Sequence, residues 1–190
     1  MVPMLQTVLD NQQRGDGMGF KLILSDCPLH LDIKGDGQIK YLDLSSLKIA
    51  NCTGCFGCWV KTPGQCVIRD DAVMVYPEIA RSDSLIYVSR LKYGGYDTVM
   101  KTMLERAIPI QQAFIRLVNG ETHHIQREVR PKSATVVGYG SNLDEAEKQI
   151  FKRLVERNAH NMNFESYRVV FTTESRLAET VKNEVAKWEA

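Results

Sequence analysis

Short apolar runs along this chain alternate with longer amphipathic segments, a pattern typical of buried strands joined by helices. The apolar runs predict five strands, at residues 20–24, 38–44, 85–88, 133–139 and 167–171. The amphipathic segments predict four helices, at residues 71–81, 96–108, 142–158 and 176–188. Asp70 is the predicted N-cap of the first helix, and Asn142 with Glu145 forms a capping box for the third. Pro77 predicts a kink, and the second helix is predicted to end near Pro109.

The order of these elements predicts the fold class. From about residue 70 onward strands and helices alternate, which favours parallel pairing because crossovers of a dozen or more residues join parallel strands. We therefore expect a three-layer, doubly wound α/β domain with a parallel sheet of about five strands over residues 20–190, preceded by an extension at 1–19. The ligand crevice of such a sheet lies beyond the carboxyl ends of its strands. That rule selects three loops: Ser25–Pro28, Ser89–Gly95 and Tyr139–Asn142.

The first crossover departs from this pattern. Too few residues separate Leu24 from Gln38 for a loop, a full helix and a second loop. Residues 29–39 read instead as a hairpin turning at Gly35–Gly37, so the first crossover helix is predicted to be missing or replaced. The apolar face left uncovered predicts a dimer, unless the apolar residues Met4–Leu9 cover it.

Composition narrows the choice of partners. A net charge of +1 without runs of like charge gives no reason to expect nucleic acid or an anionic membrane, so small molecules or proteins are the expected partners. No apolar run reaches the roughly 18 residues of a membrane span, and residues 1–19 lack the apolar core of a signal peptide. We therefore expect a cytoplasmic protein, in which thiols stay reduced.

Four of the five cysteines fall in one short window, where they point to metal or redox chemistry. Cys52, Cys55 and Cys58 lie three residues apart with glycines between them, and Cys66 follows after seven further residues. Four thiolates satisfy a [4Fe-4S] cluster. The same ligands also suit tetrahedral zinc, and a packed loop without metal is equally open, because free cysteines often pack as small hydrophobic residues.

Three segments carry a resemblance to a known family. They are Tyr41–Ile49, the cysteine segment running into Cys66–Asp71, and Lys101–Arg106. From Ile39 to about Phe171 the chain resembles the flavodoxin-like NADPH-dependent FMN reductases, and especially their cysteine-bearing iron-sulfur flavoprotein branch. The resemblance implies a flavodoxin-like fold, FMN in the crevice and NAD(P)H as co-substrate. It assigns cofactor contacts to Ser25, Pro28, Arg90, Leu91, Lys92, Tyr93, Gly94, Gly95, Tyr139 and Gly140, and it identifies no catalytic side chain.

The phosphate loop departs from that family. Its members hold the FMN phosphate at the start of the first helix, whose free amides and dipole attract an anion. Here the matching residues are Ser25–Pro28, with no helix predicted behind them and with Asp26 in their midst. Two like unit charges at close range repel by about 1 to 4 kcal/mol. Lys92 or Arg90 is a candidate for compensating charge, and a partner subunit is another way to complete the pocket.

Three functions follow from these observations. The first is an FMN-dependent NAD(P)H:flavin or quinone reductase, and the second is an electron carrier of the iron-sulfur flavoprotein type. The third is a non-catalytic, flavodoxin-like subunit that has lost FMN binding and pairs with a related flavoprotein. Lys101 and Arg106 are candidates to reach a nicotinamide phosphate or to form ion pairs on a helix, and ion pairs are the simpler interpretation. His123 and His124 are expected to point apart rather than bind one metal.

Overall fold

The computed structural model describes residues 19–31, 33 and 37–188. Within these residues the strands are β1 (Lys21–Ser25), β2 (Ile39–Asp43), β3 (Ser84–Lys92), β4 (Gly95–Tyr96), β5 (Gln111–Val118), β6 (Glu121–Gln126), β7 (Lys132–Tyr139) and β8 (Phe164–Thr172). The helices are α1 (Gly57–Val60), α2 (Ala72–Arg81), α3 (Thr98–Arg106), α4 (Glu145–Asn161) and α5 (Leu177–Ala186).

The main sheet has the predicted parallel, doubly wound topology. Its strand order is β2-β1-β3-β7-β8, and every neighbouring pair in that order is parallel. The short β4 adds an antiparallel pair at the end of β3. The described chain enters the sheet at β1, next to one edge, moves outward to β2, and returns past β1 to β3. The switch point of this topology therefore lies between the carboxyl ends of β1 and β3.

Two apolar layers cover the sheet. On one face α2, α3 and α4 enclose a large core that includes Val75, Met100 and Phe151. On the other face α5 packs through Leu177 and Val181. Leu29, Leu31 and Ile33 pack on this same second face, and the described residues between Asp26 and Gln38 form neither helix nor strand. An irregular segment therefore covers the surface that the missing crossover helix would otherwise protect.

Two parts of the prediction for this region lie outside the described residues. The turn at Gly35 and the apolar segment Met4–Leu9 both fall there, as does almost all of the extension at residues 1–19. None of the helices in the described part of the chain is long and apolar enough to cross a membrane.

The capping of α4 corrects the sequence prediction. Asn142 lies in the left-handed region at a φ of 62°, and Asp144 instead accepts a hydrogen bond from the Glu147 amide at 2.7 Å. Asp144 and Glu147 are three residues apart, like Asn142 and Glu145, and both pairs have the form of a capping box. The type of cap was therefore predicted correctly, but it lies two residues later than predicted. At α2, the Asp70 carboxylate accepts a bond from the amide of Ala72, as its predicted capping role requires.

A two-stranded hairpin between α3 and β7 was not predicted. β5 and β6 pair with each other and not with the main sheet. Asn119 and Gly120 form its turn with φ angles of 52° and 84°, which is the strongest short-range hairpin signal a sequence offers. The hairpin leaves Phe114, Ile115 and Leu117 exposed.

Candidate functional site

The three loops selected from the sequence meet at one buried carboxylate. Asp26 follows directly after β1, and one of its oxygens, Oδ2, accepts hydrogen bonds from the Ser89 hydroxyl at 3.1 Å and the Arg90 amide at 2.6 Å. The other oxygen, Oδ1, accepts a bond from the Tyr139 hydroxyl at 2.9 Å. Asp26 thus ties together the carboxyl ends of β1, β3 and β7 at the predicted crevice.

Burial dominates the electrostatics of this carboxylate. Only 9% of Asp26 is exposed, and desolvation raises the pKa of its carboxyl, while the bonds from Arg90, Tyr139 and Ser89 partly oppose that rise. Desolvation also raises the pKa of the Tyr139 hydroxyl, as do its contacts with Cys27 and with Asp26. A neutral Tyr139 that donates to Asp26 is therefore the stable arrangement.

The other polar groups at this edge are also engaged. The Arg90 guanidinium pairs with Glu174 at 2.6 Å and lies over the Tyr139 ring, 5.1 Å from its centroid. The Ser25 hydroxyl accepts a bond from the Cys27 amide at 3.3 Å. Pro28 is exposed and Gly140 is buried.

These observations test whether the crevice fits the phosphate of FMN. No helix begins in the described residues between β1 and β2, so the free amides of a helix N-terminus are not seen there. The donors around Asp26, on Ser89, Arg90 and Tyr139, already bind its carboxylate. The residues at the end of β1 therefore do not fit a phosphate.

The residues predicted to surround the flavin ring are divided between two places. Leu91 is buried in the core, whereas Lys92, Tyr93 and Gly95 line a cavity of about 770 Å³ between α3 and α4. Tyr93 and Gly94 form the tight turn into β4, with φ angles of 54° and 70°. Tyr93 is 86% exposed, so its ring is free to contact a ligand in this cavity.

The four predicted ligand cysteines converge on a second, smaller cavity. Cys52, Cys55, Cys58 and Cys66 all line one apolar space of about 80 Å³. Phe56, Trp59 and Ile108 complete its wall. Four cysteines spread over fifteen positions of sequence therefore border one cavity.

Local backbone geometry explains this convergence. Gly54 turns the chain with a φ of 64°, and a Cβ at Gly57 would lie 2.6 Å from a methyl carbon of Val67. A hydrogen bond from the Gly57 amide lowers the pKa of the exposed Cys55 thiol, and the side chain of Thr53 adds to that effect. Burial, and then the neighbouring Cys66, raise the pKa of the Cys58 thiol.

The thiols are not arranged around a single ion. Among the described residues, no three His, Cys, Asp or Glu side chains are placed to hold one metal ion. A tetrahedral zinc with bonds of 2.3 Å would bring the sulfur atoms within about 3.8 Å of one another. A cluster separates the sulfur atoms further, because each thiolate binds a different iron.

A buried ion pair holds both ends of the cysteine segment. The Arg106 side chain is completely buried and donates to Asp70 through two bonds, at 2.7 and 2.8 Å. Arg106 also donates to the carbonyls of Ala50 at 2.7 Å and Ile68 at 3.2 Å, and its guanidinium contacts the Cys66 side chain. Asp70 in turn accepts a bond from the Ala50 amide at 2.8 Å.

The two cavities are neighbours. Ile108 lines both of them, and Asn51 lines the larger while Cys52, the next residue, lines the smaller. The Thr102 hydroxyl on α3 fixes Asn51 by a hydrogen bond of 3.2 Å. A ligand in the larger cavity would therefore lie beside the cysteines.

The remaining candidates have structural roles. Lys101 forms the predicted ion pair along α3, with Glu105 at 2.5 Å. His123 bonds to Asn161 on α4, while His124 packs its ring 4.8 Å from that of Trp59, so the two histidines point apart as predicted. Sequence reasoning placed Arg106 in an ion pair but missed its link to the cysteines, and no local signal identifies Glu174 as the partner of Arg90.

Comparison with known proteins defines the fold. No protein-family model matches the chain. An FMN-dependent NADH-azoreductase from Bacillus anthracis, solved in complex with FMN, superposes with a TM-score of 0.54 at 13% identity, covering 90% of this chain and 97% of that one. An NAD(P)H:quinone oxidoreductase from Methanothermobacter marburgensis gives a TM-score of 0.54 at 12% identity, with coverage of 90% and 96%. The chain has a flavodoxin-like fold.

Two curated sequence relatives of this flavodoxin-like chain are named iron-sulfur flavoproteins. The protein of Archaeoglobus fulgidus is 36% identical over 72 residues, which are 38% of this chain and 32% of the relative. That of Methanocaldococcus jannaschii is 26% identical over 77 residues, which are 40% and 39% of the two chains. The chain thus covers well under half of each relative. The predicted resemblance to iron-sulfur flavoproteins is confirmed by these two relatives over the residues they match, and the predicted flavodoxin-like fold is confirmed by the solved structures.

Proposed function

We propose that this chain is an electron-transfer oxidoreductase of the iron-sulfur flavoprotein type. In this proposal Cys52, Cys55, Cys58 and Cys66 hold a [4Fe-4S] cluster, which takes up and releases electrons one at a time. The observation that carries the proposal is the convergence of all four cysteines on one small apolar cavity. The names of the two sequence relatives support it.

The chain's own residues have defined tasks in such a site. Arg106 and Asp70 fix the two ends of the cysteine segment, so the four thiols are positioned before a cluster binds. The Gly57 amide, which bonds to the Cys55 sulfur, is the kind of donor that tunes the potential of a cluster. Trp59 and Phe56 give the cavity apolar walls.

A flavin belongs to the proposal as the second redox group, with NAD(P)H as its electron donor. Two structural neighbours support this part of the proposal, because one is named as FMN-dependent and the other as an NAD(P)H:quinone oxidoreductase. Lys92, Tyr93 and Gly95 fit a ring ligand, because they line the cavity beside the cysteines. The end of β1 does not fit the FMN phosphate, so no step of the reaction is assigned to bound FMN.

A dimer and a cytoplasmic location complete the proposal. The exposed Phe114, Ile115 and Leu117 on the hairpin support contact with a second chain. Five free cysteines among the described residues support a reducing compartment.

One observation favours a second function, that of a non-catalytic partner subunit. Asp26 fills the position where a related fold would place its anionic ligand, as expected of a chain that has lost flavin binding.

Anaerobic purification separates the two functions. Iron, sulfide and flavin are assayed on the wild-type protein and on Cys58→Ser, with Cys27→Ser as a control outside the cysteine cavity. The proposal predicts a brown protein whose iron is lost in Cys58→Ser and kept in Cys27→Ser. A colourless wild type that gains no absorbance with iron and sulfide would leave the partner subunit as the better account.

A further inference from the structure

The surroundings of Asp26 have the form of an anion site that the protein fills with its own side chain. Its carboxylate receives a backbone amide from Arg90 and hydroxyls from Ser89 and Tyr139. These donors come from two strands other than its own, so they converge on one point from different directions. Its own amide donates to the Val88 carbonyl at 3.0 Å, which extends the pairing of β1 with β3 and fixes the position of the side chain.

The polar groups beside these donors are also engaged. Glu174 pairs with the Arg90 guanidinium, and the Ser25 hydroxyl accepts a bond from the Cys27 amide and lies 3.7 Å from the Cys27 sulfur. No helix begins in the described part of the segment from Asp26 to Gln38, so the usual source of free amides is missing as well. An incoming phosphate would meet a carboxylate and find its donors occupied.

We propose that Asp26 is a specificity-determining residue, a built-in anion that excludes a phosphate from the carboxyl end of β1 and so selects a flavin without one. The larger cavity then accepts the ring through Lys92, Tyr93 and Gly95, while the β1 edge rejects the phosphate. This inference rests on the proposed function, in which the chain binds a flavin. It adds that the preferred flavin lacks a phosphate.

The expected size of the effect follows from Coulomb repulsion. Between unit charges about 4 Å apart, at effective dielectric constants of 80 to 20, it weakens binding about 5-fold to about 1,000-fold. A phosphate dianion lies at the upper end of this range. Replacing the carboxylate by an amide of the same shape removes that repulsion.

The test compares two ligands that differ only in the phosphate. The apoprotein is titrated with FMN and with riboflavin, and the quenching of flavin fluorescence gives a Kd for each. The wild type is compared with Asp26→Asn, which keeps the volume of the side chain, and with Asp26→Ser, which also opens space. Asp83→Asn removes the same charge at the opposite end of the sheet and serves as the control. Thermal unfolding of each variant verifies that it folds.

The expected readout is the ratio of the riboflavin Kd to the FMN Kd. We expect a ratio of about 1 or less in the wild type and in Asp83→Asn, and a rise of at least about 5-fold in Asp26→Asn. Binding of FMN at least 10-fold tighter than riboflavin by the wild type overturns the proposal. An unchanged ratio in folded Asp26 variants overturns it too.

A third outcome separates this inference from the proposed function. If no variant binds either flavin, Asp26 is not what determines binding, and both the inference and the flavin part of the proposed function fail. The cluster is measured independently, by iron and sulfide content. Retention of iron in that case would show that the cysteine site is correct although the flavin inference is wrong.

Discussion

Replacing Arg106 by methionine should destabilise the protein strongly and loosen the cysteine segment. Arg106 is completely buried and is held by Asp70, whose side chain is only 16% exposed. The methionine fills a similar volume but donates no hydrogen bond. The carbonyls of Ala50 and Ile68 then lose a donor, and the Asp70 carboxylate loses its counter-charge.

The magnitude follows from what is left unpaired. Removing one partner of a buried ion pair costs about 3 to 5 kcal/mol, because the other charge stays buried without compensation. Asp70→Asn added to Arg106→Met removes that charge, so the double variant should be more stable than Arg106→Met alone. Arg81→Met is the matched control. The Arg81 side chain is 48% exposed, and its partner Glu78 keeps a second ion pair with Lys40 at 3.3 Å, so the loss should be that of an exposed pair, about 0 to 1 kcal/mol.

Two assays measure the effect. Urea unfolding gives the free energy for the wild type, the two single variants and the double variant, and thus the coupling between Arg106 and Asp70. The rate of reaction of the apoprotein thiols with a disulfide reagent reports on the cysteine segment. We expect Cys58 and Cys66, which are partly buried, to react faster in Arg106→Met than in the wild type.

The pH dependence of the free energy of unfolding gives a third check on the role of Asp70. Burial raises the pKa of the Asp70 carboxyl, but the bonds from Arg106 and from the Ala50 and Ala72 amides outweigh burial and lower it. Asp70 therefore stabilises the fold above its unfolded pKa of about 3.9, and that stability is lost as the pH falls through the lower folded value. The reasoning would be refuted if Arg106→Met lowered the free energy of unfolding no more than Arg81→Met does. Unchanged reactivity of the cysteine thiols in Arg106→Met would also refute it.

Three further predictions concern other parts of the molecule. Burial raises the pKa of the Asp26 carboxyl in the folded state, so the stability that Asp26 contributes is fully present below its unfolded pKa of about 3.9 and is lost as the pH rises through the higher folded value. Asp26→Asn should remove that decline from urea unfolding measured at increasing pH above about 4. Cys55, exposed and with a lowered pKa, should be alkylated by iodoacetamide at pH 7 before Cys58, whose pKa is raised; equal rates in peptide mass spectra would contradict this. Tyr93→Asn should stabilise the protein by about 1 kcal/mol in thermal unfolding, because asparagine tolerates a φ of 54° in a two-residue turn, and a loss of stability would count against that strain.

Much of the fold was predictable because hydrophobic periodicity and crossover length are local properties. Runs such as Leu22–Leu24 are buried on both faces, so their apolar character was visible in the sequence. The short link between Leu24 and Gln38 argued against a full crossover helix, and the described residues of that link form none. The hairpin of β5 and β6 escaped notice, although Asn119 and Gly120 mark its turn, because its strands carry apolar side chains that the core does not bury.

The candidate site was only partly predictable. The spacing of the cysteines indicated a shared site, and the structure places all four at one cavity. The link from Arg106 to Ala50 and Ile68 spans 56 and 38 residues, so no local pattern could reveal it. The same is true of the bonds from Arg90 and Tyr139 to Asp26, which lie 64 and 113 residues away in sequence. The sequence indicated that Asp26 is an obstacle to phosphate, whereas only the fold shows which hydrogen-bond donors bind its carboxylate.

The iron content of the cysteine site tests the central claim most directly. The protein is reconstituted without air with ferrous iron and sulfide, desalted, and assayed for both elements before and after reduction with dithionite, with the reduced sample examined by electron paramagnetic resonance. The account predicts about four iron and four sulfide ions per chain, a paramagnetic signal on reduction, and loss of both in Cys66→Ser. Iron that is removed by desalting, or that binds equally to Cys66→Ser, would contradict it.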